Sequence, residues 1–222
     1  MKILLVAATP GEIAPLVARA GRGAVRALSS RVTEYELAGH RVTTLVSGVG
    51  MVATAAWCSR VLAAGDYPIA LNVGVCGSFD ARLSPGTVVH IVSDRIAELG
   101  AEDGERFLTL EALKLSDDTA EVVNANPPRN DVLSALPKVT GITVNTVHGR
   151  DESIVAVVDR FHPQVESMEG AAFMYACSIH GVPSAQVRAV SNIVERRNRG
   201  AWRMTEAIEN LAETTLKILE AM

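Results

Sequence analysis

Six unbroken apolar runs recur along the chain, and helical patterns separate several of them. The runs are "KILLVAA", "HRVTTLVSG", "IALNVGV", "TVVHIVS", "GITVNTV" and "PSAQVRAVS". A strand with one face in water alternates apolar and polar residues, whereas a strand covered on both faces does not have to. The runs therefore predict strands buried on both sides. The cover is written between them. "GEIAPLVARA" follows the first run, and "MVATAAWCSRVLAAG" follows the second and stops at Gly65, the residue type favoured just past a helix end. "ESIVAVVDRF", "MEGAAFMYACSIHG" with its stop at Gly181, and "WRMTEAIENLAETTLKILEAM" supply three more helices. Strands alternating with helices predict an α/β fold, with a mostly parallel sheet between helical layers. Residues 94–138, with "GAEDGE" and "NANPPRND", break the pattern and are expected to form a flap or an insertion. No repeat, linker or low-complexity tract divides the sequence, so residues 1–222 are expected to form one domain.

Composition narrows the function. Hydrophobic residues make up 48% and charged residues 21%, enough for a large core. A net charge of −4 argues against nucleic acid or an anionic membrane as partner, since either needs a basic field. Cys58, Cys76 and Cys177 form no C-x-x-C pair and cannot all be bridged, which fits buried thiols in a reducing cytoplasm. The start, "MKILLVAATPGE", reads as a first strand, because a signal peptide has a longer apolar run. No segment reaches the roughly 20 apolar residues of a membrane span. His40, His90, His148, His162 and His180 are scattered without ligand spacing, so no metal is expected. Neither G-x-G-x-x-G nor G-x-x-x-x-G-K-[ST] occurs, and no cofactor is expected.

In sheets of this kind, ligands sit at the carboxyl ends of the strands. Those ends read "ATPGE", "SGVG", "GVCGS", "NTVHGRD" and "SNIVERR". Glycine beside small or polar residues lets a ligand approach the backbone. Glu12, Met168, Glu169 and Asn192 stand out, and each has a plain alternative. Glu12 suits a helix start, where the dipole favours negative charge. Glu169 suits a first helical turn, Met168 a core, and Asn192 a turn cap.

Taken together, these stretches resemble a known family. "VESMEGAAFMYAC" followed by "VRAVSN" resembles the signature of the purine nucleoside phosphorylase and nucleosidase superfamily. The resemblance runs from "MKILLVAATPGEI" through "SGVGMVATA" and "NVGVCGS" to the last helix. It is strongest to the nucleosidase branch, which includes methylthioadenosine/S-adenosylhomocysteine nucleosidase. Within that branch, "SMEGAA" with "SNIVERRNRGAW" resembles the futalosine hydrolases of menaquinone biosynthesis. The resemblance implies a three-layer α/β/α fold around a mixed, partly barrel-like sheet, a homodimer or higher homo-oligomer, and cleavage of the N-glycosidic bond of a small nucleoside. It also implies residue roles. Glu169 accepts hydrogen bonds from both ribose hydroxyls, and Met168 lies against the ribose. Glu12 orients and deprotonates the attacking water, and Arg188 belongs to the network around that water. Ser191, Asn192, Val147 and His148 surround the base. Val49, Trp202 and Arg196 surround the 5′ group, with Arg197 and Arg199 as further cations for a substrate carboxylate. In one departure, Val75 stands where adenine-cleaving relatives carry serine.

Two of these residues separate reaction classes. A phosphorylase has to hold a phosphate dianion under the anomeric carbon; a carboxylate at Glu12 repels phosphate but can activate water. Adenine-cleaving relatives carry aspartate where this chain has Asn192. Adenine offers an amine donor at its six position, whereas hypoxanthine offers a carbonyl acceptor, and an amide N–H can donate to that carbonyl. Asn192 thus predicts a 6-oxopurine. Another purine nucleosidase, acting on an inosine-like or methylthioadenosine-like substrate, and a non-catalytic nucleoside-binding protein remain as alternatives. The pair Glu12 and Glu169 disfavours the latter.

Overall fold

The computed structural model describes residues 1–19, 26–115 and 120–222. In chain order the elements are β1 (Lys2–Ala7), α1 (Pro10–Ala18), β2 (Arg26–Ala27), β3 (Val32–Leu37), β4 (His40–Val46), α2 (Met51–Ala64), β5 (Ile69–Ser78), β6 (Val88–Ile96), β7 (Gly100–Asp103) and β8 (Arg106–Thr109). There follow α3 (Leu110–Leu113), β9 (Glu121–Val123), α4 (Asp131–Ala135), β10 (Lys138–Thr143), α5 (Asp151–Phe161), β11 (Val165–Ser167), α6 (Gly170–Ile179), β12 (Ser184–Ile193) and α7 (Met204–Glu220).

The main sheet runs in the order β11-β10-β6-β12-β5-β1-β4-β3-β2, and β11 pairs again with β5. That second pairing closes β5, β12, β6, β10 and β11 into a five-stranded ring. The sheet is mixed: β1 is parallel to β4 and β5, while β12 is antiparallel to β6 and β11 antiparallel to β5.

The period of two explains the layers. In β1, Ile3, Leu5 and Ala7 face a core shared with Ile13 and Leu16 of α1 and Leu211 and Ile218 of α7. Leu4 and Val6 face the opposite core, with Cys58 and Leu62 of α2 and Phe173 and Cys177 of α6. Each such aliphatic side chain contributes about 1.5–3 kcal/mol on burial. Helices thus cover both faces of an α/β/α sandwich with a partly closed sheet, as the family resemblance implied.

Some boundaries differ from those the sequence suggested. The fifth strand stops at Thr143, where "VNTV" turns away: Asn145 donates its backbone N–H and its amide to the Glu98 carboxylate. The expected first helix ends at Ala18, and its residue 20 lies outside the described residues. The irregular region is tied to the body. There β7 and β8 form a hairpin, β9 pairs with β6, and Leu133 of α4 is fully buried. Residues 116–119 of that region lie outside the described residues. Among the described residues no helix is long and apolar enough to cross a membrane.

Candidate active site

A cavity of about 390 Å³ opens at the carboxyl ends of β1, β5, β11 and β12. Glu12 reaches it from α1. Thr9 is the N-cap of that helix, and Glu12 is its third residue. The Glu12 Oε2 accepts from the Thr9 N–H at 2.8 Å and from the Thr9 hydroxyl at 3.0 Å. Its Oε1 accepts from the Val75 N–H of β5 at 3.2 Å. The helix-start role and a place at the cavity therefore coexist: the cap contact holds the carboxylate still. Glu12 is only 8% exposed.

Glu169 is the N-cap of α6 and is 5% exposed. Its Oε1 accepts from the Gly50 N–H at the start of α2, at 3.1 Å. Its Oε2 faces Nη1 of Arg188 at 3.4 Å. Arg188 is 1% exposed and does not border the cavity itself. It donates to Asn72 Oδ1 at 2.6 Å and to Gln186 Oε1 at 3.2 Å. Such a buried cation needs every partner, since removing one typically costs about 3–5 kcal/mol. Gly74 makes the arrangement possible. A Cβ there would collide with the Arg188 guanidinium and lie 2.7 Å from Glu12 Oε1.

Behind Arg188, Gln186 donates to Asp94 Oδ2 at 2.9 Å, and Thr143 donates to Asp94 Oδ1 at 2.9 Å. Burial pushes the Asp94 carboxyl up to about 6, against the pull of those hydrogen bonds and of Arg188. The folded chain thus keeps a proton that the unfolded chain releases near 3.8. The stability this group contributes is complete below that lower value and is lost as pH rises through about 6. Asp94→Asn, which cannot ionise, is expected to gain in urea midpoint relative to the native sequence on going from about pH 4 to about pH 7. An equal offset at both pH values would mean that Asp94 ionises as it does in water.

At the end of β12 the register slips. Val190 pairs with Cys76 and Asn192 with Gly77, leaving Ser191 as the extra residue of a β-bulge. The bulge places both Ser191 and Asn192 at the cavity. The Ser191 hydroxyl lies 3.1 Å from the Cys76 carbonyl and 2.8 Å from Asn192 Oδ1. Asn192 Nδ2 donates to the Ile193 carbonyl at 2.9 Å. One amide hydrogen is therefore engaged, and the other has no acceptor among the described residues.

Met168, Val147, Val49 and Trp202 also border the cavity. Trp202 lies in the turn before α7, because the Arg203 N–H is bound to the Ser191 carbonyl at 2.9 Å and helical bonding starts only beyond it. Arg197 lies over the Trp202 ring, 5.3 Å from its centroid. Arg196 and Arg199 are exposed, and neither borders the cavity. His148 borders an adjoining recess instead, where its Nδ1 meets Glu166 Oε2 at 2.6 Å.

A family profile described as phosphorylase superfamily matches residues 2–222. The chain belongs to the phosphorylase superfamily. Within that superfamily it is 30% identical over 181 residues to the futalosine hydrolase of Thermus thermophilus, a match covering 79% of this chain and 80% of that one. Its fold is like that of the futalosine hydrolase of Helicobacter pylori, with a TM-score of 0.84 and 15% identity over 100% of this chain and 98% of the other. It is also like the MTA/SAH nucleosidase of Streptococcus pneumoniae, solved with 8-aminoadenine, with a TM-score of 0.83 and 20% identity over both whole chains.

Met204, Ile208 and Glu166 are among the cavity residues of this superfamily member that carry no strong site signal in the sequence. Met204 and Ile208 line the wall on α7. They read only as the apolar stripe of the last helix. Glu166 is 4% exposed and lines the cavity from β11. Its one sequence signal is a carboxylate amid the wholly buried run Val165–Ser167.

Proposed function

We propose that this chain hydrolyses the N-glycosidic bond of futalosine, releasing hypoxanthine and dehypoxanthinylfutalosine in menaquinone biosynthesis. The observation that carries this is the convergence of Glu12, Glu169 and Asn192 on one cavity. The kinship with futalosine hydrolases supports the choice of substrate. Glu12 takes a proton from a water while the water oxygen bonds to the anomeric carbon and the bond to the purine nitrogen breaks. The three donors on its carboxylate aim it rather than neutralise it. Glu169 receives the ribose hydroxyls, and its negative charge offsets the positive charge growing on the sugar. Arg188 is a positioning residue that holds the Glu169 carboxylate in place. The second amide hydrogen of Asn192 donates to the six-position oxygen, and the departing purine takes its proton through water. Met168 packs on the ribose. Val147 and Ser191 border the base, with His148 behind them, and Val49 and Trp202 border the 5′ group.

We further take residues 1–222 to act as one nucleosidase domain in the cytoplasm, where its three buried free thiols stay reduced. A second copy is proposed to cover the exposed Val52 of α2 and the stripe of Tyr175 and Ile179 on neighbouring α6.

Incubation with futalosine, inosine and methylthioadenosine, with the released base identified by chromatography, tests the function. Hypoxanthine from futalosine is expected. Preferential release of adenine from methylthioadenosine would assign the chain to the adenine nucleosidases, and no release from any of the three would leave a binding protein.

Glu169→Gln keeps the shape and removes the charge. It is expected to lower kcat far more than it raises KM, because the cationic sugar exists only near the transition state. A 2′-deoxy substrate removes one hydroxyl contact from the other side. Equal kcat/KM for ribo and deoxy substrates would remove Glu169 from that role.

A further inference from the structure

Glu166 has no part in the mechanism above, yet it borders the same cavity as Asn192. The sheet explains the pairing. Glu166 of β11 pairs with Gly77 of β5, and Gly77 in turn pairs with Asn192 of β12. Three adjacent strands thus present, in one row, a carboxylate, a glycine and an amide. Residues opposed across a sheet share a face. With strands about 4.8 Å apart, the two outer backbones stand roughly 10 Å apart, room for a purine with a hydrogen bond at each edge.

Gly77 keeps the floor of this row open. A Cβ there would lie 3.5 Å from Asn192 Nδ2 and 3.5 Å from Glu166 Cγ, and 2.8 Å from a methyl of Val194. Val194 already fills the space beside Gly77, so only a residue without a side chain fits between the Asn192 amide and the Glu166 side chain. Glu166 is locked by the loop after β10: the His148 N–H lies 3.1 Å from its Oε1, and Nδ1 of the same residue lies 2.6 Å from Oε2. The edge of Phe79 supports the imidazole, with ring centroids 6.1 Å apart. A carboxylate has about four acceptor sites, and the described residues show three contacts, two from the His148 N–H (the second to Oε2 at 3.4 Å) and one from its Nδ1, which leaves one site for a ligand.

We propose that Glu166 is a specificity residue that accepts the N1–H of a 6-oxopurine. The lactam form of such a base carries a hydrogen on N1, beside the six-position oxygen. A 6-aminopurine carries a lone pair there, which would meet the carboxylate acceptor to acceptor. Asn192 and Glu166 then read two neighbouring positions of the same base, one as donor and one as acceptor. This inference rests on the proposed function.

The test uses the whole protein and two measurements. In the first, hypoxanthine and 1-methylhypoxanthine compete with futalosine cleavage by the native sequence. Hypoxanthine is expected to inhibit about 10- to 100-fold more tightly, since the methyl removes the N1 donor. In the second, Glu166→Gln is compared with the native sequence on futalosine and its 6-amino analogue. The 6-oxo to 6-amino ratio of kcat/KM is expected to fall about 10- to 100-fold, because the glutamine amide can donate to N1 of the amino analogue. Equal inhibition by the two bases overturns the inference even if the variant fails to fold, and so does an unchanged ratio in a folded variant. Futalosine left intact by the native sequence overturns the proposed function, and this inference with it.

Discussion

Glu12→Gln is expected to fold and to lose turnover on futalosine by ~10²–10⁴-fold, the usual worth of a general base. The loss has a chemical origin that the structure separates from a stability effect. Glu12 accepts from Thr9 on one oxygen and from Val75 on the other. A glutamine amide matches only one of these and turns its own N–H₂ toward the other donor. That mismatch costs about 1–3 kcal/mol of stability, visible as a lower melting temperature but not as an unfolded chain. An amide at this position cannot take a proton from water. The measurement is kcat at saturating futalosine, at a temperature where the circular dichroism of variant and native sequence agree. Turnover within a few-fold of native would remove Glu12 from the reaction and reopen phosphorolysis.

The other large effect is expected at the bulge. Asn192→Asp should shift the adenine-to-hypoxanthine ratio of kcat/KM upward by ~10–10³-fold, the worth of one or two buried hydrogen bonds. In the native arrangement the amide oxygen faces the Ser191 hydroxyl and the amide nitrogen donates to the Ile193 carbonyl. An ionised carboxylate sets an oxygen against that carbonyl and loses the donor for the six-position oxygen. A protonated one regains a single donor, and its bare oxygen suits an exocyclic amine. Conversion should stay partial, because Trp202 and Glu166 still border the cavity. The comparison has to hold the 5′ group fixed, as futalosine and its 6-amino analogue do. An unchanged ratio would mean that Asn192 does not face the six position.

What was legible in the sequence follows from where each constraint is stored. The long strands β1, β5 and β12 could be read because burial on both faces leaves unbroken apolar runs. β3, with "VTEYEL", has no unbroken apolar run to read, because half of it is polar on an outer part of the sheet. β11 has three residues, too few for any period, and it exists because closure of the ring supplies partners on both sides. The same closure buries Glu166, whose partner His148 lies 18 residues away in the chain. No spacing rule connects the two. Trp202 reads as part of the last helix because "WRMTEA" has helical character throughout, while the bond that delays the helix comes from Ser191.

Two of the cavity carboxylates, Glu12 and Glu169, are each held by a backbone amide from elsewhere in the chain, Val75 for Glu12 and Gly50 for Glu169. The protein therefore carries two native spectroscopic probes at its centre. The Val75 amide resonance responds to whatever approaches Glu12, and the Gly50 resonance to whatever approaches Glu169. A free sugar should move the second and spare the first, so occupancy of the two halves of the cavity can be followed separately, residue by residue, with no label on the substrate.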